Sequence, residues 1–197
     1  MERKIDRRVA RTKKILIDTF LQLVKEKGYS QVTVKDIVDC ANYNRATFYV
    51  HFESKELLAK ELLNEKIRQF SIEFRRPLEH INILNLEKLS PDSVTVFDYV
   101  KTNHDFFDLL KVENTIPSFR SSILTEICRL FEENIIFQGK QDFDSNNQYF
   151  VYYRAYGVFG IFLEWIKDDY SIPTKEISKK LLNALSAYSP IVIKHDQ

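Results

Sequence analysis

ANYNRATFYVHFESKELL, residues Ala41–Leu58, decides the fold. Phe48 and Phe52 stand four apart, the spacing of one helix face, so residues Asn44 to His51 read as a short helix with a buried side. On a wheel of about 100° per residue, Ala46, Thr47, Tyr49 and Val50 fall on the opposite side, and Arg45 reaches round its edge. Asn44 is suited to cap this helix, and Asn42–Tyr43 forms a tight connection to the segment before it. That segment, TVKDIVDCA, has Thr33 as its cap and Asp36 three residues on, an acidic variant of the capping box. Val34, Ile37, Val38 and Ala41 give it an inner face on which the two Phe side chains can pack.

Two short helices joined by a tight turn, the second turning small and polar side chains outward, are what a helix-turn-helix needs to enter a major groove. Ala46 would let the backbone come close, Arg45 could take guanine O6 and N7 as a pair, and Val50 could touch a thymine methyl. A helical hairpin with a polar solvent face explains Arg45 and Thr47 equally well. It explains less well an outward Tyr49 and Val50 near a basic N-terminus, with Lys55 opening the next helix. On the residues alone both readings stand, with DNA favoured.

Charge distribution points the same way. Residues 1–55 hold 12 Lys and Arg against 7 Asp and Glu, while the remainder holds 17 against 21. A basic head on a mildly acidic body suits a polyanion touched at one end. Residues 1–8 carry Arg3, Lys4, Arg7 and Arg8 before the first apolar helical position and read as a mobile basic arm.

Around this core the chain reads as helix throughout. Ile15, Leu16, Phe20, Leu23 and Val24 mark a helix from about Arg7 to Lys27, stopped by Gly28. Ser54 caps a long helix ending near Arg76 before Pro77. Further helices are expected over Val94–Leu110, from Ile123 to about Phe137, over Gln148–Lys167 (apolar nearly all round) and over Lys175–Tyr188. Five Pro and four Gly are too few for an all-β sandwich. No stretch reaches the roughly 18 apolar residues that a membrane helix requires, and no apolar segment follows the basic N-terminus as in a secretory signal. The cytoplasm is the expected compartment, without membrane association. Cys40 and Cys128 are expected to be buried, unpaired thiols.

RTKKILIDTFLQLVKEKGYSQ followed by TVKDIVDCANYNRATFYVHFESKELL resembles the N-terminal DNA-binding domain of the TetR/AcrR family of bacterial transcriptional regulators, over about residues 7–63. The TFYVHFESKELL run, the Thr that opens the first helix of the motif and the EKGY turn all fall at family spacing. The turn departs from the family's Gly and aliphatic pair, having Asn42 and Tyr43; Asn tolerates the left-handed conformation. By position, the resemblance implies that Lys35, Arg45, Ala46, Thr47 and Val50 face bases. It implies that Thr33, Tyr49, His51 and Lys55 hold phosphates, with Asn44 opening the recognition helix between the two sets. His51 reads equally as a packing residue at the helix end.

Residues 94–188 are similar to the C-terminal domain of a TetR subgroup common in Gram-positive bacteria. The resemblance implies an all-α chain in two parts. Residues 1–63 are a three-helix helix-turn-helix domain; a long helix leads to 64–197, a helical ligand-binding and dimerisation domain. It further implies a homodimer that binds a palindromic operator on double-stranded DNA as a repressor. The last two helices, Gln148–Lys167 and Lys175–Tyr188, are the candidates for a four-helix dimer interface, against a monomer that holds them in its own core. A small-molecule inducer of unidentified chemistry is implied too. Gly157 and Gly160 would permit close approach of helices across the dimer seam. Phe106, Phe107, Tyr149, Tyr153, Arg154, Tyr156 and Trp165 are the candidate ligand residues, although aromatics at this spacing more often fill a core. The alternative function is an architectural or adaptor DNA-binding protein with no inducer. An enzyme is not expected: there is no Gly-rich phosphate loop, no HExxH and no GxSxG, and the four His residues lie in four separate segments. No cofactor and no metal are expected.

Overall fold

The computed structural model describes residues 2–79, 83–138, 147–187 and 189–194. Its helices are α1 (Glu2–Lys27), α2 (Val34–Cys40), α3 (Arg45–His51), α4 (Lys55–Arg75), α5 (Val96–Thr102), α6 (His104–Phe107), α7 (Phe119–Asn134), α8 (Gln148–Lys167) and α9 (Thr174–Ser186). The chain divides into two compact units, Met1–Lys66 with His104–Phe119, and Ile67–Asn103 with Arg120–Gln197. It therefore crosses from one to the other three times, first within α4, which is continuous across residues 66 and 67.

The first unit is built on α1. Leu16, Phe20 and Val24 are wholly buried along one stripe of that helix, and Ile37 of α2, Phe48 of α3 and Leu58 of α4 are equally buried. Phe106, Leu109 and Leu110 complete this core from the 104–119 segment, with Phe106 and Phe119 meeting edge to face at 4.9 Å. Lys25 of α1 pairs with Asp105 at 2.8 Å. The expected mobile arm is instead the start of α1, which begins at Glu2. ERKIDRRVAR contains neither Gly nor Pro, so nothing in it stops the helix from extending.

The second unit packs the end of α4 with α5, α7, α8 and α9. Phe97 stacks on Phe162 at 4.5 Å and meets Trp165 edge to face at 5.2 Å, while Phe74 meets Phe131 at 5.7 Å. The indole N–H of Trp165 donates to the Ile172 carbonyl at 2.8 Å, which satisfies its one polar atom in the core.

The fold is all-α in class, with one addition that helical periodicity does not reveal. Three short antiparallel strands, β1 (Ile83–Asn85), β2 (Ile135–Gln138) and β3 (Ile191–Lys194), form a sheet in the order β1-β3-β2. Val192 of β3 pairs with Leu84 on one side and Phe137 on the other, and all three are buried. Strand β2 takes the end of the helix expected to reach Phe137, because Ile135 and Ile136 are β-branched and find a partner in β3. The helix expected over Val94–Leu110 is also broken. α5 ends where the Asn103 side chain donates to the Tyr99 carbonyl at 2.8 Å, competing with the helical ladder, and the chain enters the first unit at the next residue. Cys40 is exposed at the end of α2 and Cys128 half-buried in α7, so the two thiols are unpaired but not both buried as expected.

Candidate nucleic-acid interface

The geometry of α2 and α3 follows from local chemistry. Thr33 has extended backbone, its hydroxyl accepts from the Asp36 amide at 3.2 Å, and its own amide donates to the Asp36 carboxylate at 2.8 Å. Lys27 reaches the same carboxylate at 2.8 Å. The ammonium of Lys27, then the hydroxyl and amide of Thr33, hold the Asp36 carboxyl well below the usual carboxylate range. The end of α2 is closed by Asn42 at φ +55°, with the Tyr43 amide donating to the Val38 carbonyl at 2.8 Å and the Asn42 amide to the Asp39 carbonyl at 3.3 Å. This is the helix-ending pattern usually built on Gly, made here with Asn. Asn44 then caps α3, accepting from the Thr47 amide at 2.8 Å, an interaction that contributes about 1 kcal/mol at such positions.

Phe48 and Phe52 anchor α3, their rings 5.7 Å apart and both buried. The opposite side is open. Arg45 and Ala46 are exposed, Thr47 half-buried, Tyr49 55% exposed and Val50 77% exposed. Val50 in particular has no packing role in the chain by itself. Lys35 is exposed on α2, and the caps Thr33 and Asn44 are exposed before α2 and α3. His51 is half-buried, its ring 6.4 Å from Phe52. Arg7, Arg8 and Arg11 are exposed along α1.

Lys55 does not join this outward set. Its ammonium donates to the carbonyls of Val32 at 2.8 Å and Tyr29 at 3.1 Å and lies 4.2 Å from the centre of the Tyr29 ring, leaving the side chain 13% exposed. Two of its three N–H donors are thus committed to the fold. These contacts give it a structural role at the start of α4 besides the phosphate contact expected of it.

The seven candidate ligand residues fall in both units. Phe106 and Phe107 are core residues of the first unit, whereas the other five lie on α8 in the second. On α8 they divide again. Arg154 and Trp165 are buried, while Tyr149, Tyr153 and Tyr156 are 84%, 63% and 60% exposed. Arg154 lies 3.7 Å from the centre of the Phe137 ring and donates to the Ser189 hydroxyl at 2.9 Å, and burial pushes its guanidinium down to about 10. Spacing placed these residues on one helix but did not divide its faces.

The second unit does contain an apolar cavity of about 60 Å³, walled by Phe74, Leu78, Leu84, Val96, Phe131, Leu182 and Val192 among others. Every wall residue is a hydrocarbon or an aromatic ring, and none belongs to the expected ligand set. The walls come from α4, β1, α5, α7, β3, three positions of α9 and the connections after α4 and β1, so no local motif announces them. Among the described residues there is no cluster of three or more His, Cys, Asp or Glu placed to hold a metal ion, and no helix long and apolar enough to cross a membrane.

A capped helix-turn-helix on a third helix, continued by a long helix into a mostly helical body, is the architecture of a helix-turn-helix DNA-binding protein. Residues 16–62 match the family described as bacterial regulatory proteins, tetR family, and residues 87–187 match the transcriptional regulator C-terminal region of the same family. The chain belongs to the TetR family of transcriptional regulators, which are DNA-binding proteins and not enzymes. It is 25% identical over 190 residues to the uncharacterized regulator YxbF of Bacillus subtilis, an alignment covering 93% of this chain and 47% of that protein. It is 26% identical over 118 residues to the transcriptional repressor DhaR of Mycobacterium sp. (strain GP1), covering 60% of this chain and 59% of DhaR. The chain thus spans about half the length of these curated relatives. Among solved structures, a TetR regulator from Streptococcus agalactiae aligns with TM-score 0.61 and 24% identity, over 94% of this chain and 99% of that one. FadR of Bacillus subtilis in complex with stearoyl-CoA aligns with TM-score 0.56 and 19% identity, over 87% and 96%.

Proposed function

We propose that this regulator acts as a homodimer that reads a palindromic operator through α2 and α3, represses transcription there, and is released by a small molecule held in its second unit. The observation that carries the proposal is the outward face of α3. Its inner side is fixed by buried Phe48 and Phe52, while Arg45, Ala46, Tyr49 and Val50 are exposed. In this reading Lys35, Arg45, Ala46, Thr47 and Val50 meet base edges, and Thr33, Tyr49 and His51 meet phosphates, with α1 adding Arg7, Arg8 and Arg11 nearby. Repression is supported by the likeness to DhaR, which carries that description.

Dimerisation is supported by α8. Tyr149, Tyr152, Tyr153 and Tyr156 form an exposed stripe at helical spacing with Gly157 and Gly160, and nothing lies within 4 Å of where a side chain at either Gly would begin. An aromatic stripe of this kind suits a second copy of the chain, which would cover it. For the ligand, the apolar cavity is the better compartment than the α8 aromatics, and it suits a hydrocarbon group with no charge of its own. FadR, whose structure holds stearoyl-CoA, is a neighbour in fold that binds a molecule with such a chain.

The test is Arg45→Ala. If Arg45 reads a guanine, its removal costs about 1–3 kcal/mol on the specific duplex and relaxes preference at one base pair of each half-site. Titration on specific and scrambled duplexes separates the roles. Equal loss on both would remove Arg45 from the base-reading set.

A further inference from the structure

We infer that Lys55 and Asn114 are positioning residues of the DNA-reading unit: together they hold the turn at Gly28–Val32 that sets where α2, and with it α3, is presented. The inference rests on reading α2 and α3 as the DNA-contacting pair.

This turn is the sole covalent link between the end of α1 at Lys27 and the cap of α2 at Thr33. It is a three-residue 3₁₀ turn with two internal bonds, Gln31 amide to Gly28 carbonyl and Val32 amide to Tyr29 carbonyl, each 3.2 Å long. A 3₁₀ turn this short has little stability of its own. The groups it leaves over are taken up from outside. The Tyr29 amide donates to the Asn114 carbonyl at 2.7 Å, and the Asn114 side-chain amide donates to the Ser30 hydroxyl at 2.6 Å. Lys55 fixes the far side, donating to the Tyr29 and Val32 carbonyls at 3.1 and 2.8 Å.

Gly28 shows how closely the parts are fitted. A Cβ there would stand 2.8 Å from the Asn114 side-chain nitrogen and 3.0 Å from its Cβ, and the backbone already sits at φ +80°. Asn114 occupies the room that Gly28 leaves. It lies in the C-terminal family region, residues 87–187, outside the 16–62 match to the DNA-binding region. The DNA-reading unit is thus completed by a residue that the sequence assigns to the other half of the family.

The experiment uses the full chain with Lys55→Met and Asn114→Ala, and as probe the duplex recovered by selection from random DNA. Two readouts are taken: affinity at several salt concentrations on specific and scrambled duplexes, and amide hydrogen exchange at Tyr29 and through α2 without DNA. Lys55→Met is expected to weaken specific binding about tenfold, as for the loss of a part-buried charge-assisted hydrogen bond. Asn114→Ala, which loses an exposed side-chain bond to Ser30 but keeps its main-chain bond to the Tyr29 amide, is expected to weaken it severalfold. Binding to scrambled DNA and the salt slope should stay as in the parent, while exchange in the turn and in α2 becomes faster. For Lys55→Met, a salt slope reduced by about 0.9 for each subunit would make it a phosphate contact and overturn its positioning role. For Asn114→Ala, unchanged exchange and unchanged affinity would overturn the inference. If Lys55→Met does not fold, Asn114→Ala decides alone. A parent that selects no sequence would sink the reading of α2 and α3 as DNA-contacting, while the exchange measurement would still decide what holds the turn.

Discussion

Phe48→Ala is expected to lower the stability of the first unit by about 3–5 kcal/mol, against a typical total of about 5–15 kcal/mol for a domain. Phe48 has no exposed surface and sits between Phe52 and the edge of Tyr49, with Ile37 and Val38 of α2 also buried. α3 is seven residues long, far below the length at which an isolated helix holds itself together. It is a helix because this side chain anchors it. Without the anchor, the outward residues lose their common scaffold and specific binding goes with them. The second unit has its own aromatic core around Phe97, Phe162 and Trp165, so its unfolding transition should persist in calorimetry. Val50→Ala is the matched control: at 77% exposure it should shift stability by no more than about 0.5 kcal/mol. A Phe48→Ala protein as stable as the control would mean that α3 is held by something other than its inner face.

Gly157→Leu should leave the monomer sound and take the dimer apart. Open space surrounds Gly157 in the single chain, so a Leu meets no obstacle there, and in mid-helix it gains up to about 1 kcal/mol of helix propensity. The same side chain would stand between two copies of α8 if they approach at their glycines. Losing the second half-site contact removes the advantage of joined binding, which is on the order of 10²–10⁴ in affinity. Sedimentation and operator titration of this variant should therefore show monomers with binding weakened by at least about a hundredfold. A dimer as tight as the parent would place the interface elsewhere than on the tyrosine stripe.

What the sequence revealed and what it concealed divide along the reach of the interactions. Capping by Thr33 and Asp36, the left-handed Asn42, the cap at Asn44 and the full span of α8 all rest on contacts within about one helical turn, and each is legible as a local pattern. The outward face of α3 is legible for the same reason, since a helix wheel needs only spacing and one buried pair. The sheet was not legible: its strands are three or four residues long and join Ile83–Asn85 and Ile135–Gln138 to a third strand at Ile191–Lys194. Lys55 looked like a surface cation because its carbonyl partners lie 23 and 26 residues back. Asn114 gave no signal at all, since its contact with Ser30 spans 84 positions. The division of α8 into faces was hidden for a related reason. Aromatic density on α8 is shared between a buried side, with Trp165, and an exposed one, with Tyr149, while the cavity is walled by apolar residues scattered from Phe74 to Val192.

Selection of bound duplexes from a random DNA pool by the protein tests the central claim most directly. The proposed homodimer predicts a palindromic site whose half-sites are centred about 34–36 Å apart, one turn of DNA, or a multiple of that. Recovery of a single asymmetric half-site, or of no preferred sequence, would contradict it.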